Sequence, residues 1–173
     1  STASGSAFEA VLWNDTTATP LGDFPGGVFW SEARAVSPDG TVVAGFGNTL
    51  AGREAFRWTA ADGFVALGDL DGGDVDSSAQ AISADGSTIV GVAQPAAGVH
   101  HAFVWDAVHG MRDLHELAGT EALDWVLYTA NGVSADGSVI VGEGTAPDGE
   151  PQAWRLSLPE PHAFAASLAA IGA

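Results

Sequence analysis

The sequence Ser-x-Asp-Gly occurs three times, as Ser37-Pro38-Asp39-Gly40, Ser83-Ala84-Asp85-Gly86 and Ser134-Ala135-Asp136-Gly137, at steps of 46 and 51 residues. A landmark recurring at this interval marks a chain of stacked units, none of which buries its apolar face alone. Small residues and one β-branched residue precede each copy: Ala33-Arg34-Ala35-Val36, Ala79-Gln80-Ala81-Ile82 and Ala130-Asn131-Gly132-Val133. An apolar run ending in glycine follows each: Thr41-Val42-Val43-Ala44-Gly45, Ser87-Thr88-Ile89-Val90-Gly91 and Ser138-Val139-Ile140-Val141-Gly142. The pattern predicts a strand, a tight turn and a second strand. Asp-Gly supplies the positive-φ positions that a two-residue hairpin needs.

Two further elements repeat. Large apolar residues stand two apart in Ala10-Val11-Leu12-Trp13, Ala55-Phe56-Arg57-Trp58, Ala102-Phe103-Val104-Trp105 and Ala153-Trp154-Arg155-Leu156. That period places them on one face of a strand and gives no helical stripe. After each of the first three comes Leu21-Gly22-Asp23-Phe24, Leu67-Gly68-Asp69-Leu70 or, more loosely, Leu114-His115-Glu116-Leu117. Each unit therefore holds four short strands, A to D, the size and strand count of a propeller blade.

The expected fold is all-β, a propeller-type array of four-stranded antiparallel blades. Strand A is small, as an innermost strand requires, and strand B is apolar on both faces, as a sandwiched blade requires. A β-solenoid is the alternative, with shorter coils and no regular Asp-Gly hairpin. The strands run C-D, A-B-C-D, A-B-C-D, A-B-C, in units near 7–32, 33–78, 79–129 and 130–157. Residues 1–157 form one domain, and 158–173 an apolar tail. Closed propellers have roughly four to eight blades. The array is thus open, completed by assembly, or part of a larger ring. Trp58 and Trp105 are expected to be buried at matching places.

Composition narrows the partners. There are 22 acidic residues against five basic ones, all arginine, for a net charge of -17. Nucleic acid and anionic membranes would be repelled. Hydrophobic residues make up 46% of the chain, enough for a core. The absence of cysteine removes disulfides, thiol catalysis and zinc-thiolate sites. The chain begins at Ser1 and its single methionine is Met111. Removal of a leader, or excision from a longer chain, would account for this.

Ser-x-Asp-Gly, the Val/Ile run to Gly, His101-Ala102-Phe103 before Trp105, Glu54-Ala55-Phe56-Arg57-Trp58 and Leu67-Gly68-Asp69-Leu70 together resemble the bacterial extracellular HAF-repeat family, over roughly residues 7 to 157. The resemblance implies an exported, surface-associated, propeller-like repeat protein and carries no catalytic residues. The third unit departs from it, with His115-Glu116 in place of Gly-Asp. Leu158-Pro159-Glu160-Pro161 and the apolar run from Ala163 to Ala173 are similar to a PEP-CTERM sorting signal, here without its basic cluster. That likeness implies a truncated signal and an exporting Gram-negative bacterium. The other reading is an apolar tail that packs on the domain or a neighbour. The run is too short to span a bilayer.

Candidate chemistry is sparse. Asp69, Asp71, Asp74 and Asp76 cluster around Gly72-Gly73 and would offer oxygens to Ca²⁺. The same segment is also the repeat's ordinary loop with added acids. His100, His101, His109 and His115 gather near Asp106, Asp113 and Glu116, but without a tight ligand pair. Ser37, Ser83 and Ser134 recur in every unit, so they read as turn residues whose hydroxyls bond across the turn. Trp30, Trp125 and Tyr128 lie in connections between strands D and A and do not repeat. They would either contact a sugar or protein partner or cap the core between blades. The expected function is an exported structural or interaction protein, without enzymatic activity or cofactor, assembling head to tail with itself into a fibre or ring. A glycan- or protein-binding module is the alternative, and a hydrolase a remote one.

Overall fold

A computed structural model describes residues 8–95, 98–158 and 167–170. Strands β1 (Ala10–Asn14) and β2 (Thr17–Gly22) form a hairpin. The first full blade is β3 (Ser31–Val36), β4 (Val42–Asn48), β5 (Gly52–Thr59) and β6 (Gly63–Ala66), each antiparallel to the next. The second is β7 (Val75–Ile82), β8 (Thr88–Ala93), β9 (His101–Asp106) and β10 (Gly110–Asp113). A helix α1 (Leu114–Ala118) and a 3₁₀ turn (Gly119–Ala122) lead to the third, β11 (Val126–Val133), β12 (Val139–Thr145), β13 (Pro151–Ser157) and β14 (Ser167–Ala170). Among the described residues β1–β2 packs on β3 and β6 and makes no comparable contact with β11–β14, so the array is open.

The repeated residues now have physical reasons. In every blade strand A bulges opposite the recurring glycine of strand B, between Ala33 and Ala35, Ala79 and Ala81, and Ala130 and Gly132. The bulge drives a carbonyl towards that glycine. A methyl group on Gly45, Gly91 or Gly142 would stand 1.9, 2.1 or 2.0 Å from the carbonyl oxygen of Glu32, Ser78 or Thr129, so no side chain fits.

The core lies in the seams between blades. Ala10 and Leu21 of the hairpin meet Val43 and Phe56. Ala44, Ala55 and Leu67 meet Ala79, Ile89 and Phe103. Val90, Ala102, Val104 and Leu114 meet Leu127, Ile140, Trp154 and Leu156. Successive residues of strand B thus serve opposite seams, Val43 one and Ala44 the next, which is why that strand is apolar on both faces.

Three expectations are corrected. The Asp-Gly turn is no two-residue hairpin: Gly40, Gly86 and Gly137 have positive φ, but Asp39, Asp85 and Asp136 do not. The loop is longer, closed by Ser37 N–H to the Val42 carbonyl and Gly40 N–H to the Ser37 carbonyl. Trp58 and Trp105 do pack at matching places, on the first and second seams, but are only partly buried there, whereas Phe56, Phe103 and Trp154 are wholly buried. The apolar tail supplies a strand, because β14 pairs with β13 from Trp154–Ala170 to Ser157–Ser167. The last blade therefore has its fourth strand. The Pro159-Glu160-Pro161 motif lies outside the described residues.

Candidate functional site

Most polar landmarks of the repeat are spent on holding blades together. Ser31 opens strand A of its blade and reaches back to the hairpin before it. Its hydroxyl accepts the Ala10 N–H at 3.0 Å and donates to the Gly22 carbonyl at 2.8 Å. Ser77 repeats both bonds one seam later, with Ala55 at 3.0 Å and Gly68 at 2.8 Å. The aspartate after that glycine holds the strand leading into the next blade: Asp23 accepts the Trp30 N–H at 2.6 Å, and Asp69 accepts the Asp76 N–H at 2.8 Å. Glu9 accepts the Gly22 N–H at 3.1 Å, and Glu54 takes the equivalent bond from Gly68.

At the third seam the whole latch changes. Leu127 stands at the register position of Ser31 and Ser77, and His115 replaces the glycine. His101 pairs with Asp113 at 2.6 Å, and Asp113 caps helix α1 through the His115 N–H at 2.8 Å. His109 bonds Asp106 at 2.9 Å in the adjacent turn, and His100 is exposed. The departure of the third unit thus exchanges the serine latch for a mainly apolar seam, crossed by one backbone bond from the Ala84 N–H to the Ala135 carbonyl at 2.9 Å.

The three Ser-x-Asp-Gly turns share one network. The Ser hydroxyl donates to the Asp at 2.6, 2.7 and 2.5 Å and accepts the N–H of Val42, Thr88 or Val139. The same Asp also takes the backbone and hydroxyl of Thr41, Ser87 or Ser138. These bonds hold Asp39 and Asp85 below the ordinary carboxylate range and Asp136 at about 2. Ser37, Ser83 and Ser134 are hydrogen-bonded turn residues in every unit.

The acidic loop is divided by these duties. Asp69 secures the next strand. Its own pKa is raised, chiefly by burial. Asp76 forms an ion pair with Arg53 at 2.6 Å, and Asp71 and Asp74 are exposed. Among the described residues no three His, Asp or Glu side chains gather as a metal-binding group. The four aspartates are therefore not brought together around a calcium position.

The three aromatic candidates also separate. Trp30 packs against Phe8 with ring centres 4.5 Å apart and planes tilted by 44°, and Trp125 packs against the buried core of the third seam. Tyr128 is 42% exposed and lines an open groove of about 380 Å³ with Arg53, Val92, His100 and Thr129.

The outer faces of the array complete the picture. Val11 and Trp13 occupy the strand-C positions of Phe56 and Trp58, yet are 38% and 69% exposed. At the other end Val141 is 38% exposed and Ala153 is exposed, although their counterparts Ala44 and Val90, and Ala55 and Ala102, are wholly buried; Glu143 and Arg155 are exposed beside them.

No family model matches the chain, and no curated protein does. Among solved structures it is similar to TolB from Acinetobacter baumannii, at 15% identity and TM-score 0.55, over 88% of this chain and 34% of that one. It is also similar to a putative TolB from Agrobacterium tumefaciens, at 18% identity and TM-score 0.57, over 83% of this chain and 48% of that one. The fold is all-β and propeller-like. It spans less than half the length of these relatives in fold, and at such identities the likeness concerns the fold alone.

Proposed function

We propose that this propeller module is an exported structural and interaction protein whose copies associate head to tail through their outer blade faces. The observation that supports this is the bare hairpin face. In each internal blade, the strand-C side chains at the positions of Val11 and Trp13 are withdrawn from water by the blade before them. On the hairpin they face solvent. The opposite end of the array presents the complementary surface, the side that an internal blade turns towards its successor. A contact between two unlike faces is heterologous and propagates as a ring or a filament. With β14 in place, the contact is face on face and shares no strand. Export and a surface location rest on the HAF-repeat resemblance.

Size-exclusion chromatography with light scattering at rising concentration tests the reading. Mass should climb above 17.4 kDa, and Trp13→Glu should hold the protein at the monomer. A single monomeric species at every concentration would overturn it.

A further inference from the structure

The groove beside Tyr128 is built by an irregularity that the other blades lack. Strands β3 and β7 each bulge once against their partners. Strand β11 bulges twice, and the additional shift lies between Leu127 and Thr129. The extra residue is Tyr128, the only tyrosine in the chain. Bulges of this kind re-aim a side chain at the rim of a sheet. Here the bulge turns a large ring outward on a strand whose neighbours Leu127 and Ala130 are wholly buried.

The other lining groups come from different blades and converge at one edge of the array, where A strands begin and B strands end. Arg53 opens β5, Val92 is near the end of β8, and His100 lies just before β9. Arg53 is held in place from two sides. Its Nε and Nη2 both reach Asp76 at 2.6 Å, and its guanidinium lies 5.3 Å from the centre of the Phe46 ring. Two of its five N–H donors are engaged by Asp76, leaving others for a ligand. The Thr129 hydroxyl and the His100 imidazole add short polar groups to a mostly apolar wall.

We infer that this groove binds a neutral saccharide, with one hexose ring lying on Tyr128 and its hydroxyls meeting Arg53, Thr129 and His100. An apolar ring face bordered by polar groups, one of them a guanidinium held by Asp76, matches a sugar, which has a CH-rich face and a hydroxyl edge. The charge excludes acidic sugars: Asp76 neutralises Arg53, and the chain carries -17 overall.

Saturation-transfer NMR on the full chain tests this with maltohexaose and cellohexaose as neutral probes and oligogalacturonate as the charged one. At least one neutral hexaose should receive saturation at its ring CH protons, and oligogalacturonate should not. Tyr128→Ala should weaken binding about tenfold, and Tyr128→Phe should keep it, both with unchanged far-UV circular dichroism. Trp13→Glu should bind as the parent does, which separates this result from the assembly test. Absence of transfer to both neutral probes, binding confined to oligogalacturonate, or full binding by Tyr128→Ala would overturn the inference.

Discussion

Replacing Phe103 should destabilise the protein more than replacing the larger Trp105 two residues on. Phe103 is wholly buried in the second seam and lies directly opposite Gly91, whose missing side chain makes room for its ring. Phe103→Ala opens a cavity between two blades whose walls are strands fixed by their own ladders, so collapse is limited. The cost is about 3–5 kcal/mol. Trp105 packs on the same cluster from its edge and is only partly buried. Trp105→Ala removes the part of the indole withdrawn from water, about 2 kcal/mol. For a chain of this length the melting temperature moves by about 2–4 °C per kcal/mol. Phe103→Ala should therefore melt roughly 6–20 °C lower and Trp105→Ala roughly 4–8 °C lower. Urea titrations followed by circular dichroism and by tryptophan fluorescence would give the free energies, and agreement between the probes would justify a two-state treatment. If Trp105→Ala cost as much as Phe103→Ala, the register that places Phe103 against Gly91 would be wrong.

Two further outcomes follow from the latches and the turns. Ser77→Ala leaves the Ala55 N–H and the Gly68 carbonyl without their buried partner and should cost about 2–4 kcal/mol, measured by urea titration; a loss under about half of that would mean the latch is not formed. Lowered pKa values at Asp39, Asp85 and Asp136 give stability that is present above the ordinary carboxylate range and is lost as pH falls towards about 2 for Asp136. Glu54 and Asp69, raised mainly by burial, act in the opposite sense, their share being lost as pH rises through their folded values. Replacing the three turn aspartates by Asn should flatten the acid limb of a melting-temperature profile, and an unchanged limb would sink the turn-network account.

The repeat made the blades legible, because one landmark at fixed spacing fixes which strands are equivalent. It could not show depth. Phe103 and Trp105 lie on the same face of one strand, and only the bulge opposite Gly91 decides which ring goes inside. Asp69 looked like a metal ligand because its partner is a backbone N–H seven residues away, and a backbone donor leaves no mark in the sequence. The terminal strand was hidden for another reason. Ser167-Leu168-Ala169-Ala170 has little β preference of its own, and β13 imposes its conformation through pairing. Tyr128 was visible as a non-repeating aromatic, but the second bulge that turns it outward follows from register and not from residue type.

The change of latch at the third seam gives this array two kinds of joint. The first two seams combine apolar contact with buried serine and aspartate bonds to the backbone. The third relies on Leu127, Trp154, Leu156, the helix that replaces the Gly-Asp turn and one backbone bond, from the Ala84 N–H to the Ala135 carbonyl. Apolar burial weakens on cooling, whereas hydrogen bonds do not share that dependence. Cooling therefore takes proportionally more from the third seam than from the serine-latched ones. In a protein whose stability is a sum of neighbour contacts, that loss is local to the joint between the second and third blades.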